Sequence, residues 1–63
     1  MNFRCLWIRQ TDNDQKQVTY TEEELTAIVG TYVVDRAIER GETNTTVINQ
    51  GKTYKIFIKP LKN

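Results

Sequence analysis

A helix with both of its ends written into the chain sits in the middle of this sequence. Thr21 is followed three residues later by Glu24, the capping-box spacing, in which the hydroxyl and the carboxylate each satisfy a backbone N–H of the first turn. Tyr20 and Leu25 stand where a hydrophobic contact fixes the angle at which the chain enters such a helix. Glu22, Glu23 and Glu24 lie where the helix dipole favours negative charge, and Arg36 and Arg40 lie toward the end that favours positive charge. Gly41 occupies the position at which a left-handed residue closes a helix. Together these signals predict one helix from Glu22 to Arg40, and everything else must be arranged around it.

The flanking segments read as strands. Phe3 to Gln10 is rich in aromatic and β-branched residues, and Lys16 to Tyr20 alternates. Between them, Thr11 to Gln15 holds the short polar side chains of a turn. After the helix, Glu42 to Thr45 reads as a loop and Thr46 to Ile48 as a short third strand. Asn49 to Lys52 makes a tight turn in which Gly51 is free to take a positive φ. Thr53 to Lys59 is the fourth strand, and Pro60, lacking an amide hydrogen, is expected to end it and leave residues 60–63 as a loose tail. The expected fold is α+β: a single domain over residues 1–63 in the order ββαββ, with a four-stranded sheet and one long helix across one face. Should the second strand fail to pair, the order becomes βαββ, which also builds an α+β sandwich.

In order and length these elements resemble the β-grasp arrangement of the small immunoglobulin-binding domains. The resemblance implies a sheet with the terminal strands central. It implies nothing about ligand, because fold does not fix function.

Composition narrows the chemistry. At 63 residues only about 60% of the unfolded surface can be buried, and the one cysteine, Cys5, forms no internal disulfide. There is no histidine and no thiol cluster to hold a metal, and no motif for a cofactor, so neither an enzyme nor a metalloprotein is expected. Cys5 reads as a small apolar residue. Asp12-Asn13-Asp14 matches the start of a calcium loop, but the required glycine and twelfth-position glutamate do not follow. No apolar run reaches the ~20 residues of a membrane span, and charges interrupt the N-terminal segment, so no membrane or secretory role is expected. With an unpaired cysteine, a cytoplasmic location is the expectation. The sequon Asn44-Thr45-Thr46 is then a chance match.

Two surfaces stand out as candidates for contact. On one continuous helix, Leu25, Ile28, Val29 and Tyr32 share a side, whereas Ala27, Val34 and Ile38 point roughly the opposite way with Gly30 close by. A sheet covers only one of these sets. Ala27, Gly30, Val34 and Ile38 are therefore candidate contact residues for a homodimer or a heterologous protein partner; the competing reading is a wide face wrapped into a thick core. The second surface depends on which way strand one faces. With Leu6 and Ile8 under the helix beside Tyr54, Ile56 and Ile58, the outer side presents Phe3, Trp7, Arg9, Lys55, Phe57 and Lys59. In the opposite facing, Phe3, Cys5 and Trp7 are core and Leu6 and Ile8 lie outside.

The basic end of the chain reinforces the second surface, since Gly51 to Asn63 carries Lys52, Lys55, Lys59 and Lys62 and no acid, although the formal net charge is only +1. The expected function is a small non-catalytic protein-interaction module, self-associating, of the regulatory or accessory kind, with Trp7 and Phe57 as further contact residues. The alternative is a single-stranded nucleic-acid-binding module in which Arg9, Lys55 and Lys59 neutralise phosphates while the rings stack on bases. A third reading is an assembly subunit that pairs through its sheet edges.

Overall fold

The computed structural model describes residues 1–61; Lys62 and the remainder of the expected loose tail lie outside the described residues. Two strands, β1 (Asn2–Arg9) and β2 (Gln15–Thr21), precede two helices, α1 (Glu22–Val29) and α2 (Thr31–Arg40), and two further strands follow, β3 (Thr43–Asn49) and β4 (Lys52–Leu61). The strands form one sheet in the order β2-β1-β4-β3, with the terminal strands central and every pairing antiparallel.

The expected single helix is thus two, and the break at Gly30 has a topological consequence. β2 ends at Thr21 opposite Asn2, which is opposite Leu61, and β3 begins at Thr43 opposite Ile58. The connection therefore leaves and re-enters the sheet at the same end. One straight helix over residues 22–40 would run about 28 Å and deliver the chain to the far end. Two short helices go out and come back. Gly30 makes the reversal at φ 90° and ψ 161°, a conformation essentially confined to glycine. Its N–H still closes α1 on the Thr26 carbonyl at 2.9 Å, and its own carbonyl accepts the Val34 N–H at 3.3 Å.

The outer signals of the helical segment are as the sequence implied. Thr21 Oγ1 accepts from the Glu24 N–H at 3.1 Å, and Glu24 Oε1 accepts from the Thr21 N–H at 2.9 Å. Gly41 closes α2 in the left-handed region, φ 89° and ψ −19°. Gln50 and Gly51 both have positive φ, the requirement of the tight type I′ hairpin turn that joins β3 to β4.

Breaking the helix also redistributes its apolar sides. Leu25 from α1 and Val33, Val34 and Ala37 from α2 are buried together, with Ile28 and Val29 packed against them. Four strands about 4.8 Å apart make a face wider than one helix of ~10 Å can cover, and two helices side by side cover it. Val34, expected at an interface, is 2% exposed and belongs to the core. Ala27 and Ile38 remain on the outer surface of the helical layer, on different helices, and Tyr32 is exposed there too.

From the sheet, Phe3, Cys5, Trp7, Ile56 and Ile58 meet the helices. Strand one therefore takes the second of the two facings, with Phe3 and Trp7 inside and Leu6 and Ile8 outside. The volumes explain the choice: the inward set holds two large aromatics and a thiol, and burial of rings contributes most to so small a core. Trp7 packs edge-on against Tyr54, ring centres 5.2 Å apart, and donates its indole N–H to the Tyr20 hydroxyl at 3.1 Å.

Pro60 does not end β4 as expected. It pairs opposite Phe3, and the strand continues to Leu61. β3 starts only opposite Ile58, so beyond that point β4 has a partner on one side, and the missing N–H of Pro60 faces the side with no strand to bond.

Burial fixes the state of Cys5. Loss of solvent pushes its thiol up from the ordinary 9.0 to about 11. The native thiol should therefore resist alkylation at neutral pH and react fully once denaturant is added, as a colorimetric thiol titration would register. The sign of the pH effect follows from the same shift. The unfolded thiol ionises from pH 9 upward while the folded one holds its proton until about 11, so stability is intact below pH 9 and falls as pH rises across that window. Cys5→Ala should flatten that part of the pH–stability curve in urea denaturation.

Candidate protein-interaction surface

The helices cover one side of the sheet and leave the other open. Strand alternation and register place side chains in rows on that open side, and three consecutive rows make up its middle. The first is Thr19, Arg4 and Lys59; the second is Gln17, Leu6, Phe57 and Asn44; the third is Gln15, Ile8, Lys55 and Thr46. Leu6, Ile8 and Phe57 make an apolar centre, in which Phe57 is 42% exposed and Leu6 and Ile8 are half-buried. Cations stand on both sides of it: Arg4 and Lys59 in the row before, Lys55 in the row after.

No strand carries an acidic residue. All eight acids of the chain lie in the first hairpin turn, the helices or the loop before β3, whereas Arg4, Arg9, Lys16, Lys52, Lys55 and Lys59 lie on the strands. The net charge of +1 thus hides an uneven distribution: the open side of the sheet carries Arg4, Lys55 and Lys59 and no strand carboxylate. Among the described residues the ion pairs are those of Arg9, which leaves Arg4, Lys55 and Lys59 without a carboxylate partner.

An open concavity of about 570 Å³ lies on this face. Leu6 and Phe57 floor it, Arg4 and Lys59 flank it, and Gln17 and Asn44 supply amides. At the end where β3 has not yet begun, Arg40 and Glu42 of the α2–β3 connection form its rim. An apolar floor with a few convergent polar groups is the usual composition of a binding site.

Of the residues expected to form the surface, Phe57, Lys55 and Lys59 are brought together and the others are not. Trp7 is 6% exposed and belongs to the core, with Lys16 Nζ of the neighbouring strand 5.5 Å from its ring centre. Arg9 serves the first turn instead. Its guanidinium grips Asp12 with two bonds of 2.9 Å and reaches Asp14 at 3.3 Å, and this contact holds the Asp12 carboxyl below its ordinary range. The Asp12-Asn13-Asp14 segment is thereby a turn pinned by arginine, with Asn13 at φ 60°. Ala27, Gly30 and Ile38 lie on the helical layer, away from this face. Arg4 and Gln17 were not singled out in the sequence. The signal for Arg4 was its parity: it alternates with Cys5 and shares a side with Leu6.

No described helix is long and apolar enough to cross a membrane. No family model, curated protein or solved structure matches the chain, so the geometry of this face is the basis for a functional reading.

Proposed function

We propose that the chain is a non-catalytic protein-interaction module whose open sheet face takes a partner segment in which an apolar side chain is flanked by carboxylates. One observation carries this reading: the Leu6–Phe57 row lies between rows of cations that have no carboxylate partner among the described residues, on strands that hold no acid. The apolar centre contributes burial energy, and the cations steer an acidic partner and select against basic ones. Two copies of this face would not suit each other, because a twofold contact sets Arg4, Lys55 and Lys59 against the same cations. The partner of this face is therefore a different protein.

The nucleic-acid reading draws on the same cations but has only Phe57 as a stacking ring, since Phe3 and Trp7 are buried. Each stacked base contributes ~1–3 kcal/mol, so one ring offers little beyond phosphate attraction.

Isotope-labelled protein titrated with three probes tests the proposal by NMR: a peptide alternating Leu and Glu, the same peptide with Gln for Glu, and a single-stranded oligonucleotide. The amides of Leu6, Phe57 and Lys59 should shift with the Glu peptide and not with the Gln peptide. Arg4→Glu combined with Lys59→Glu, both at exposed positions, should weaken that binding about tenfold or more. Silence toward the Glu peptide, or a stronger response to the oligonucleotide at moderate salt, would refute the assignment.

A further inference from the structure

The sheet has two edges, β2 and β3, and they are built differently. Natural sheets blunt an edge with lysine, proline, a bulge or a cover. β2 carries Lys16 and is flanked by Asp14 and Glu22. β3, Thr43-Asn44-Thr45-Thr46-Val47-Ile48-Asn49, has no charge, no proline and no glycine, and four of its residues are threonine or valine together with an isoleucine that is 75% exposed.

The register shows which backbone groups of β3 are open. Asn49 and Lys52 flank the two-residue turn and pair across it. Pairing alternates along an antiparallel ladder, so Asn49, Val47, Thr45 and Thr43 direct their backbone groups at β4, and Asn44, Thr46 and Ile48 direct theirs outward. The contact of Arg36 Nη2 with the Asn44 carbonyl at 3.4 Å agrees with this and occupies the start of the edge. The N–H and C=O of Thr46 and of Ile48 are left facing outward with no strand beside them.

We propose that β3 pairs antiparallel with β3 of a second copy about a twofold axis at Val47. In that register Thr46 stands opposite Ile48 of the partner, and the reverse, so the four open groups of each copy are satisfied by the four of the other. Val47 meets its counterpart on the helical side, and the Arg36–Asn44 contact stays outside the ladder. Cross-strand pairs of β-branched residues are favourable. The strand cations nearest the seam, Lys55 of each copy, stand three strand spacings or more apart, about 14 Å, beyond the ~10 Å screening length at 0.1 M salt. A heterologous contact of β2 with β3 would instead repeat without closing. The twofold pair gives one continuous sheet with all helices on one side and the two open faces side by side. It uses the outward backbone groups of the β3 edge and not the apolar centre and cations of the open face, so either assignment can fail alone.

Sedimentation equilibrium at high micromolar concentration should give the mass of two chains, and the Thr46 and Ile48 amides should exchange with solvent more slowly as concentration rises. Thr46→Pro removes an outward donor without touching the β3–β4 ladder, and Ile48→Lys sets a cation beside its symmetry mate. Both should return the mass to one chain and leave the circular dichroism and Trp7 emission unchanged. Tyr32→Lys, at an equally exposed position on α2, should leave two. A wild-type mass of one chain, a mass that climbs past two, or a pair that survives both β3 variants would overturn the proposal.

Discussion

Trp7→Ala is expected to cost about 3–5 kcal/mol, a third or more of the stability a chain of this size has. A chain of 63 residues has a total stability of only ~3–9 kcal/mol at the usual value per residue. Trp7 is 6% exposed and unites three parts of the fold: Tyr54 on β4 against its edge, Tyr20 on β2 through its N–H, and the buried residues of both helices. Truncation opens a cavity where two strands and the helical layer meet. Urea denaturation followed by circular dichroism measures the loss, and Trp7→Phe separates its sources. The phenyl ring keeps most of the burial and gives up the bond to Tyr20, a half-buried residue, so that variant should cost ~1–2 kcal/mol. Wild-type tryptophan emission should be blue-shifted, as for an indole out of water. A folded Trp7→Ala protein destabilised by less than ~1 kcal/mol would mean that Trp7 faces outward, and the open face described above would then be the wrong one.

The facing of β1 shows where sequence reasoning stopped. Both sides of Asn2–Arg9 are apolar, with Phe3, Cys5 and Trp7 on one and Leu6 and Ile8 on the other, so alternation alone gives two answers. The larger side chains went inside because a small sheet needs their area. Local signals with a stereochemical cause were read correctly. The Thr21–Glu24 box, the left-handed Gly41 and the Gly51 turn each follow from bonds or dihedrals within a few residues. The break at Gly30 was not legible locally, because a glycine inside a periodic apolar run is compatible with continuing the helix. What makes it a break is the need for β3 to start at the end where β2 stops, a property of the sheet and not of the neighbouring residues. Pro60 was misjudged for a related reason: its tolerance depends on where β3 begins.

The surface was half legible. The basic C-terminal strand gave Lys55, Phe57 and Lys59, and these stand together on the open face. Their neighbours Arg4 and Leu6 come from the opposite end of the chain, and only the β1–β4 register brings them alongside. Arg9 shares the parity of Phe3, Cys5 and Trp7, so the facing of β1 turns it away from the open side, and its guanidinium instead takes the two aspartates three and five residues on.

Gly30→Ala should destabilise the protein by about 1–3 kcal/mol, the cost of holding an L-residue in a glycine-only conformation. Crowding does not enter, since a β-carbon placed on Gly30 meets no atom within 4 Å. The strain at φ 90° acts on the native state, and a second effect adds to it. Alanine favours helix over glycine by ~1 kcal/mol, so the substitution also stabilises a straight helix through residues 22–40, the conformation that carries the chain away from where β3 must begin. Chemical denaturation of Gly30→Ala measures the sum. A chain synthesised with D-alanine at this position separates dihedral from packing, because a D-residue prefers positive φ and has the same atoms. The D-variant should match or exceed the wild type, through the smaller entropy of its unfolded chain, while the L-variant falls. Equal stability of the two would mean that the segment does not reverse at Gly30, and the antiparallel β1–β4 pairing that depends on the reversal would lose its cause.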